Sequence, residues 1–351
     1  MKKAVLYIIF AGIVLGVQSC IKEDLEGCFN VLRLQVSYAF TTEDADAPIP
    51  ELRSAKAYVF NENDILCAIG EGNGTNLFAG QTLDISLPSS GRYKVLVWGS
   101  DNSSFFHSYG EGAKSASFSI GYTEGIVIGK TALSDLLLLL KGKTTGGANA
   151  EFIPDNTPND DLFFGAAGIR TSEKSEYILK EITLKDDGIT EETVELIRDT
   201  NIFDISIDGF SYLLSQSVSL NDADFFLSAK GECYNGCNTF GDAAYRVKYP
   251  GYDLVADENN QLTLRIKSQR IMMDMPLTFY VRDKKQGTML FGLNLLGYLL
   301  KAQNAEGEYI YKNQEDLDRI YIHHIKLAFS GDLTVRIFID GWEVEHIHPI
   351  Y

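Results

Sequence analysis

The chain has 351 residues, with 48 aspartates and glutamates against 31 lysines and arginines, and a formal net charge of −17. A field of that sign repels phosphate backbones and anionic headgroups, which excludes nucleic acid as an expected partner. The length exceeds one ordinary hydrophobic core, so two domains are expected, and 45% apolar with 23% charged residues fits a folded protein rather than a disordered stalk.

Lys2 and Lys3 open the chain, and Ala4 to Gly16 form an apolar stretch. A membrane span needs roughly twenty apolar residues, so this stretch is too short to cross and suits a signal peptide. The segment closes on Val17, Gln18, Ser19 and Cys20. A small residue before a cysteine here resembles the lipobox of bacterial lipoproteins, with Gln18 in place of the usual small residue. The resemblance implies a signal over residues 1–19, cleavage before Cys20, and N-acyl and S-diacylglycerol lipid on that cysteine as the only added group. Each buried methylene contributes about 0.8 kcal/mol, so several chains hold far more firmly than one. Lys22, Glu23 and Asp24 follow at once and resemble the surface-export signal of Bacteroidales-type lipoproteins; residues 20–29 would form the lipidated tether. Losing Lys2 and Lys3 with the signal leaves 29 basic residues against 48 acids, about −19.

From residue 30 the recurring signal is alternation with period two, broken by glycine, asparagine and aspartate turns. Val31 to Tyr38 is a first strand, with Leu32, Leu34, Val36 and Tyr38 on one face. Lys56 to Phe60 is a second. Leu83, Ile85 and Leu87 alternate with polar residues, Pro88 to Gly91 turn, and Tyr93 to Trp98 returns, which predicts a hairpin of the kind seen in sandwiches. Leu136 to Leu140 reads as a buried strand or a short helix, Thr144 to Asp161 as a long loop, and Leu162 to Gly165 and Tyr177 to Leu184 as strands. The turn at Asp186, Asp187 and Gly188 is the predicted boundary between domains 30–187 and 188–351. In the second half Val194 to Ile207, Asp224 to Ala229, Leu262 to Ile266 and Leu277 to Val281 read as strands. Leu293 to Ala302 carries leucines at helical spacing and predicts a short helix. Ile322 to Phe329 and Leu333 to Ile339 pair across Ser330 to Asp332, and Asp340-Gly341 turns the chain into Trp342 to Ile347. Asp-Gly between alternating segments is a strong hairpin signal.

Catalytic constellations are poor. There is no Gly-x-Ser-x-Gly elbow, no phosphate-cradling glycine loop and no His-Glu-x-x-His, so the chain reads as non-enzymatic. His346 and His348 would share a strand face and could chelate a metal; a solvated edge is the bland reading, and no metal is assigned. The acids at Asp222 to Asp224 and Asp155 to Asp161 lack the ordered spacing of a calcium loop and read as solvated turns. Exported context permits disulfides. Cys233 and Cys237 flank Asn235-Gly236, a strong turn former, and could close a small loop or remain thiols, while Cys28 and Cys67 do not complete a zinc site with them.

The order of short motifs carries a family likeness. Ala57 to Asn61, Leu87-Pro88, Gly91 to Tyr93, Val97 to Gly99, Leu162 to Gly165, Gly297 to Leu300, Leu317 to Arg319 and Ile337 to Trp342 follow the lipobox cysteine and first strand. Together they resemble the FimB-like fimbrial anchor lipoproteins of Bacteroidales-type bacteria, within the fimbrillin group. That resemblance implies an all-β fold of two transthyretin-like antiparallel β-sandwich domains in tandem. It implies a surface-exposed, lipid-anchored protein in the outer membrane at the base of a fimbria, with fimbrillin shaft subunits as partners. Fimbrillins assemble by strand exchange, so the expected contact is a groove or the terminal strand Trp342 to Ile350, and an anchor would not be processed at Arg170. The Thr144 to Asp161 loop and the Cys233–Cys237 loop depart from the family pattern. Two other classes stay open: a glycan-binding or adhesin lipoprotein without a fimbrial partner, which would show exposed aromatics gathered on one face, and a surface hydrolase, whose activity one carboxylate substitution would abolish.

Overall fold

A computed structural model describes residues 30–40, 49–106, 118–120, 126–146, 150–170, 177–186, 188–214, 218–240, 246–332 and 334–347. The fold is all-β, with three short α-helices among the described residues. None of these helices is long and apolar enough to cross a membrane.

The first unit begins with β1 (Asn30–Tyr38), whose alternation is realised as predicted: Leu32, Leu34 and Val36 are buried and Gln35 is exposed. Next come β2 (Ser54–Asn61), β3 (Leu66–Asn73), β4 (Thr82–Leu87) and β5 (Gly91–Ser100). β6 (Phe118–Ile120), β7 (Leu138–Leu140), β8 (Gly142–Thr144) and β9 (Glu151–Pro154) follow, then β10 (Leu162–Ala166). A ribbon of β11 (Gly168–Arg170) and β12 (Tyr177–Leu179) leads into β13 (Ile182–Leu184) and β14 (Ile189–Arg198). One sheet runs β3-β2-β5-β10-β14-β1-β4, with β13 also paired to β5. It folds over so that β1 and β4 pack their leucines against Val59, Val95, Val97 and Phe163 in one core.

β4 and β5 do not form the predicted hairpin: β4 pairs with β1, and β5 pairs with β2, β10 and β13. Both strands aim their apolar residues into the same core from opposite layers, so the Pro88 turn carries the chain across the core rather than back along one sheet. β2, β5 and β10 are apolar on both faces because they form a wall between two cores. Ala57, Val59, Val95 and Val97 face the first core, while Tyr58, Phe60, Leu96, Trp98 and Phe164 face the second. A strand buried on both sides reads as a near-continuous apolar run, as these do.

The second unit is two six-stranded sheets facing one another. It comprises β15 (Thr200–Asp208), α1 (Phe210–Leu213), β16 (Ala223–Lys230), β17 (Cys233–Tyr234), β18 (Arg246–Pro250), β19 (Tyr252–Ala256) and β20 (Gln261–Gln269). β21 (Leu277–Asp283), β22 (Met289–Asn294), α2 (Leu295–Leu299), α3 (Gln314–Arg319), β23 (Ile322–Phe329), β24 (Val335–Ile339) and β25 (Trp342–Ile347) complete it. The sheets run β19-β20-β15-β23-β24-β25 and β22-β21-β16-β18-β9-β8. Phe203, Leu264 and Ile337 from the first meet Leu227, Tyr249 and Phe279 from the second. The predicted helix over Leu293 to Ala302 shrinks to α2, since Leu293 belongs to β22. β9 lies inside the predicted loop Thr144 to Asp161 and pairs in parallel with β18, so the first half of the chain lends a hairpin to the second unit's sheet.

The predicted single strand Val194 to Ile207 is two strands in two sheets. β14 pairs in parallel with β1 from Ile189 to Leu196, and β15 pairs with β20 and β23. The crossing between units is therefore at Asp199, not near Gly188. Its charges are buried together. Arg270 grips Asp318 through two bonds of 2.7 and 2.6 Å, and Gln314 holds the same carboxylate at 3.0 Å. Arg198 contacts Asp161 at 2.5 Å, Lys267 joins that carboxylate, and the Arg198 guanidinium lies 4.1 Å from the Tyr321 ring centre. Burial works to raise the Asp161 carboxyl, but Arg198 and Lys267 outweigh it and hold it below the usual range. Asp199 has no such pair. Its Oδ1 accepts from Asn238 at 2.9 Å and lies 3.9 Å from Arg270, while its Oδ2 has no hydrogen-bond partner among the described residues. Burial, assisted by Asp318, pushes Asp199 up to about 7 against the pull of Arg270 and Asn238.

Removing one member of a buried pair leaves the other charge uncompensated. Arg270→Leu is expected to cost about 3–5 kcal/mol in urea unfolding, and Arg270→Leu with Asp318→Leu to recover most of it. An acid with a raised folded pKa favours the folded state while protonated, so its contribution falls as pH rises from about 4 to about 7. Asp199→Asn removes that penalty: its stability relative to wild type should climb across this window, by on the order of 3 kcal/mol at neutral pH. Unfolding curves at pH 4.5 and 7.5 measure the difference.

Candidate functional site: the groove at Trp342 and the open sheet edges

The β24–β25 hairpin turns on Asp340 and Gly341, at φ 49° and 87°. Two left-handed residues in a row match the twist of the flanking strands, and Asp-Gly is suited to both positions. Asp340 fixes the turn to its neighbours. Its N–H donates to the His324 carbonyl at 2.8 Å, Oδ1 accepts from the His324 N–H at 3.0 Å, and Oδ2 accepts from the Tyr311 hydroxyl at 3.0 Å. Trp342, next along the chain, is thereby held at the mouth of a groove of about 660 Å³ with Tyr309 also in its lining. Tyr309 is 52% exposed and Trp342 45%.

The rest of the groove is preformed by local turn chemistry. Asn304 Oδ1 accepts from the N–H groups of Glu306 and Glu308, closing the loop that presents Tyr309. Asn313 and Asp316 cap each other's backbone at the start of α3, a capping box that fixes the first turn. Beneath the groove, Tyr311 meets His323 Nδ1 at 2.9 Å, and His323 Nε2 meets Asn201 at 3.2 Å. The imidazole stacks on Phe203 with ring centres 5.0 Å apart. Burial pushes His323 down to about 3, so the ring is neutral, and burial with Asp340 raises the Tyr311 hydroxyl well above its ordinary range. Glu308, Asp316 and Asp340 stand in the lining against Lys312 and Arg319, a nearly balanced set of charges.

Among the described residues, β25 and β19 are the two edges of one sheet, and β22 and β8 those of the other. An edge strand leaves one row of N–H and C=O groups for another strand. β19 exposes Leu254 and Val255, but it is broken by an irregularity between Tyr252 and Val255, where Asp253 takes φ 52°. β25 pairs with β24 from Trp342 to Ile347 with an irregularity of its own opposite Ile337 and Phe338, and Lys301 ties Glu345 to the loop after α2 at 2.8 Å.

Cys20, Lys22, Glu23, Asp24 and Cys28 lie outside the described residues, as do the His348 residue and the His346 side chain. Cys233 is a buried thiol rather than half of a closed Cys233–Cys237 bridge. It sits on β17, paired with Leu139 of β7, while Asn235 Oδ1 closes the turn by accepting from the N–H groups of Cys237 and Thr239. Burial pushes the Cys233 thiol up to about 11, which keeps it protonated and a poor partner for thiolate exchange at neutral pH. Cys67 is likewise a thiol, raised to about 11 by burial. The acids at Asp222 and Asp224 pair with Lys285, and with Lys248 and Arg282. His323 and His324 part company: the first is buried, and the second is exposed and 3.6 Å from Asp204. The Asp340-Gly341 turn was legible in the sequence; the exposure of Tyr309 and Trp342, and their meeting at one groove, was not.

A model of the family described as fimbrillin-A associated anchor proteins Mfa1 and Mfa2 matches residues 25–348. No curated protein matches the sequence significantly. Among solved structures, the fimbrial anchor protein Mfa2 from Porphyromonas gingivalis superposes with a TM-score of 0.65 at 19% identity, over 91% of this chain and 100% of that one. A candidate polysaccharide-binding protein from Bacteroides thetaiotaomicron gives 0.67 at 22% identity, over 91% and 98%. A candidate adhesin from Bacteroides ovatus gives 0.62 at 23%, over 95% and 100%. At these identities the structural likeness establishes a shared all-β fold.

Proposed function

This chain belongs to the family of fimbrillin-A associated anchor proteins, and from that premise we infer that it fixes a fimbria to the outer membrane. Lipid on Cys20 holds one end in the membrane, Lys22 to Asp24 direct export to the surface, and the shaft joins the second unit by β-strand complementation. Family membership gives the fimbrial and adhesive role at the cell surface; the lipid tether and the mode of joining are the finer parts of the proposal.

The observation that carries it is the direction of the strands. β1 and β14 are parallel and run toward the crossing at Asp199. β15 and β23 run away from it, and β25, antiparallel to β24, runs the same way as β23. Asn30, which follows the tether, and Ile347, which ends β25, therefore lie at opposite ends of the strand path. Residues 21–29 span at most about 3.3–3.6 Å each, so the Asn30 end stays close to the membrane and the far end of the second unit points away from it. A shaft strand added along β25 would satisfy that strand's free backbone groups, with alternate side chains giving specificity.

β1 also suits a tether. It lies between β4 and β14, paired on both sides, with its apolar face in the first core. Tension from the lipid would shear two ladders at once instead of peeling one edge. Removal of this strand would open the core, which fits an anchor that keeps its N-terminal segment. Growth beyond the anchor stops because the membrane occupies the end where a further subunit would add.

Co-purification from the native cell surface, comparing wild type with Cys20→Ala, tests the reading. Fimbrial subunits should accompany the wild type, and the variant should shed fibres into the medium. Fibres that stay attached in the variant, with no subunit bound to the wild type, would overturn it.

A further inference from the structure

We propose that the groove between Tyr309 and Trp342 binds a neutral oligosaccharide. A sugar ring has an apolar C–H face and a rim of hydroxyls that both donate and accept. The surface that fits it pairs an accessible aromatic face with planar polar groups held in place. The chain's other tryptophan, Trp98, is fully buried, whereas Trp342 and Tyr309 each keep about half their surface open and line the same groove. Between them stand carboxylates that accept and a guanidinium that donates.

Three features narrow the ligand class. The groove, at about 660 Å³, lies within the usual range of roughly 300–1,000 Å³ for small-ligand sites. Arg319 has donor capacity to spare: the ion pairs of its two Nη atoms to Glu315 and Asp316 are long, at 3.8 Å each. The charges of Glu308, Asp316 and Asp340 against Lys312 and Arg319 leave no net positive field, on a chain whose overall charge is −17, so an anionic sugar would be repelled. An added β-strand is a poor fit here, because the polar lining comes from the loop at Glu308 to Lys312, from α3 and from the Asp340 turn. The inference stands apart from the anchoring reading, since Cys20→Ala leaves the groove intact and the two can fail separately.

The test is titration calorimetry of the mature chain with neutral tetrasaccharides of glucose, mannose and N-acetylglucosamine, and tetragalacturonate as the anionic control. Because Trp98 is buried, tryptophan emission followed in parallel reports on Trp342. At least one neutral sugar should bind saturably and shift the emission to the blue. Trp342→Ala and Tyr309→Ala should each weaken it by about tenfold or more. Tyr212→Ala, which alters an equally exposed tyrosine outside the groove, should leave binding unchanged. Binding by none of the neutral sugars, equal binding of tetragalacturonate, or binding that survives both groove substitutions would overturn the proposal. So would protection of Trp342 by a co-purified fimbrial subunit in place of any sugar.

Discussion

Arg198, Asp199 and Thr200 leave one sheet and enter another without a loop, and all three are buried. A chain that crosses between cores in this way must satisfy its polar groups inside the protein, and here it does so with charges. Asp161 neutralises Arg198 and Lys267, and Asp318 neutralises Arg270. These partners come from the end of the predicted long loop, from β20 and from α3, so the crossing gathers distant parts of the chain around one point. Buried ion pairs seldom add net stability over apolar packing, but a broken one is costly. The arrangement therefore specifies how the units join more than it strengthens either. Asp199 is the exception, a carboxyl without a cation of its own.

That junction explains why the fold was only partly legible. Alternation in Leu32, Leu34 and Val36 gave β1, and Asp340-Gly341 gave the last hairpin, because each is decided within a few residues. The division at Asp199 was not visible, since alternation runs on through β14 and β15 while their partners change from β1 to β20 and β23. Pairing is tertiary information. The same holds for β4 and β5, whose pattern suits a hairpin equally well as a turn across a core. β9 was hidden by its glycine- and proline-rich surroundings, and its partner β18 is almost a hundred residues away in the chain.

The groove was hidden for a different reason. Trp342 follows a turn and opens an alternating segment, which reads as core, and Tyr309 sits in a polar stretch with no pattern at all. What brings them together is the relay beneath: Asn201, His323, Tyr311 and Asp340 link β15, β23, the loop before α3 and the last turn. His323 is a neutral spacer that holds Tyr311 under Asp340.

Position along the strands separates the two surfaces assigned to the second unit. The groove lies at the junction end of its sheet, because Ile322 and Trp342 begin β23 and β25, and Tyr321 in its wall lies under Arg198 of the crossing. The free end of β25 lies at the opposite end. A strand added along the edge would extend toward that far end, and a sugar at the groove would lie near the waist. In the proposed anchor, tension entering through β1 would pass the crossing, where the buried charge pairs tie β14, β20 and α3 together. An anchor built this way could hold a fibre by its outer end while its waist remains open to a ligand.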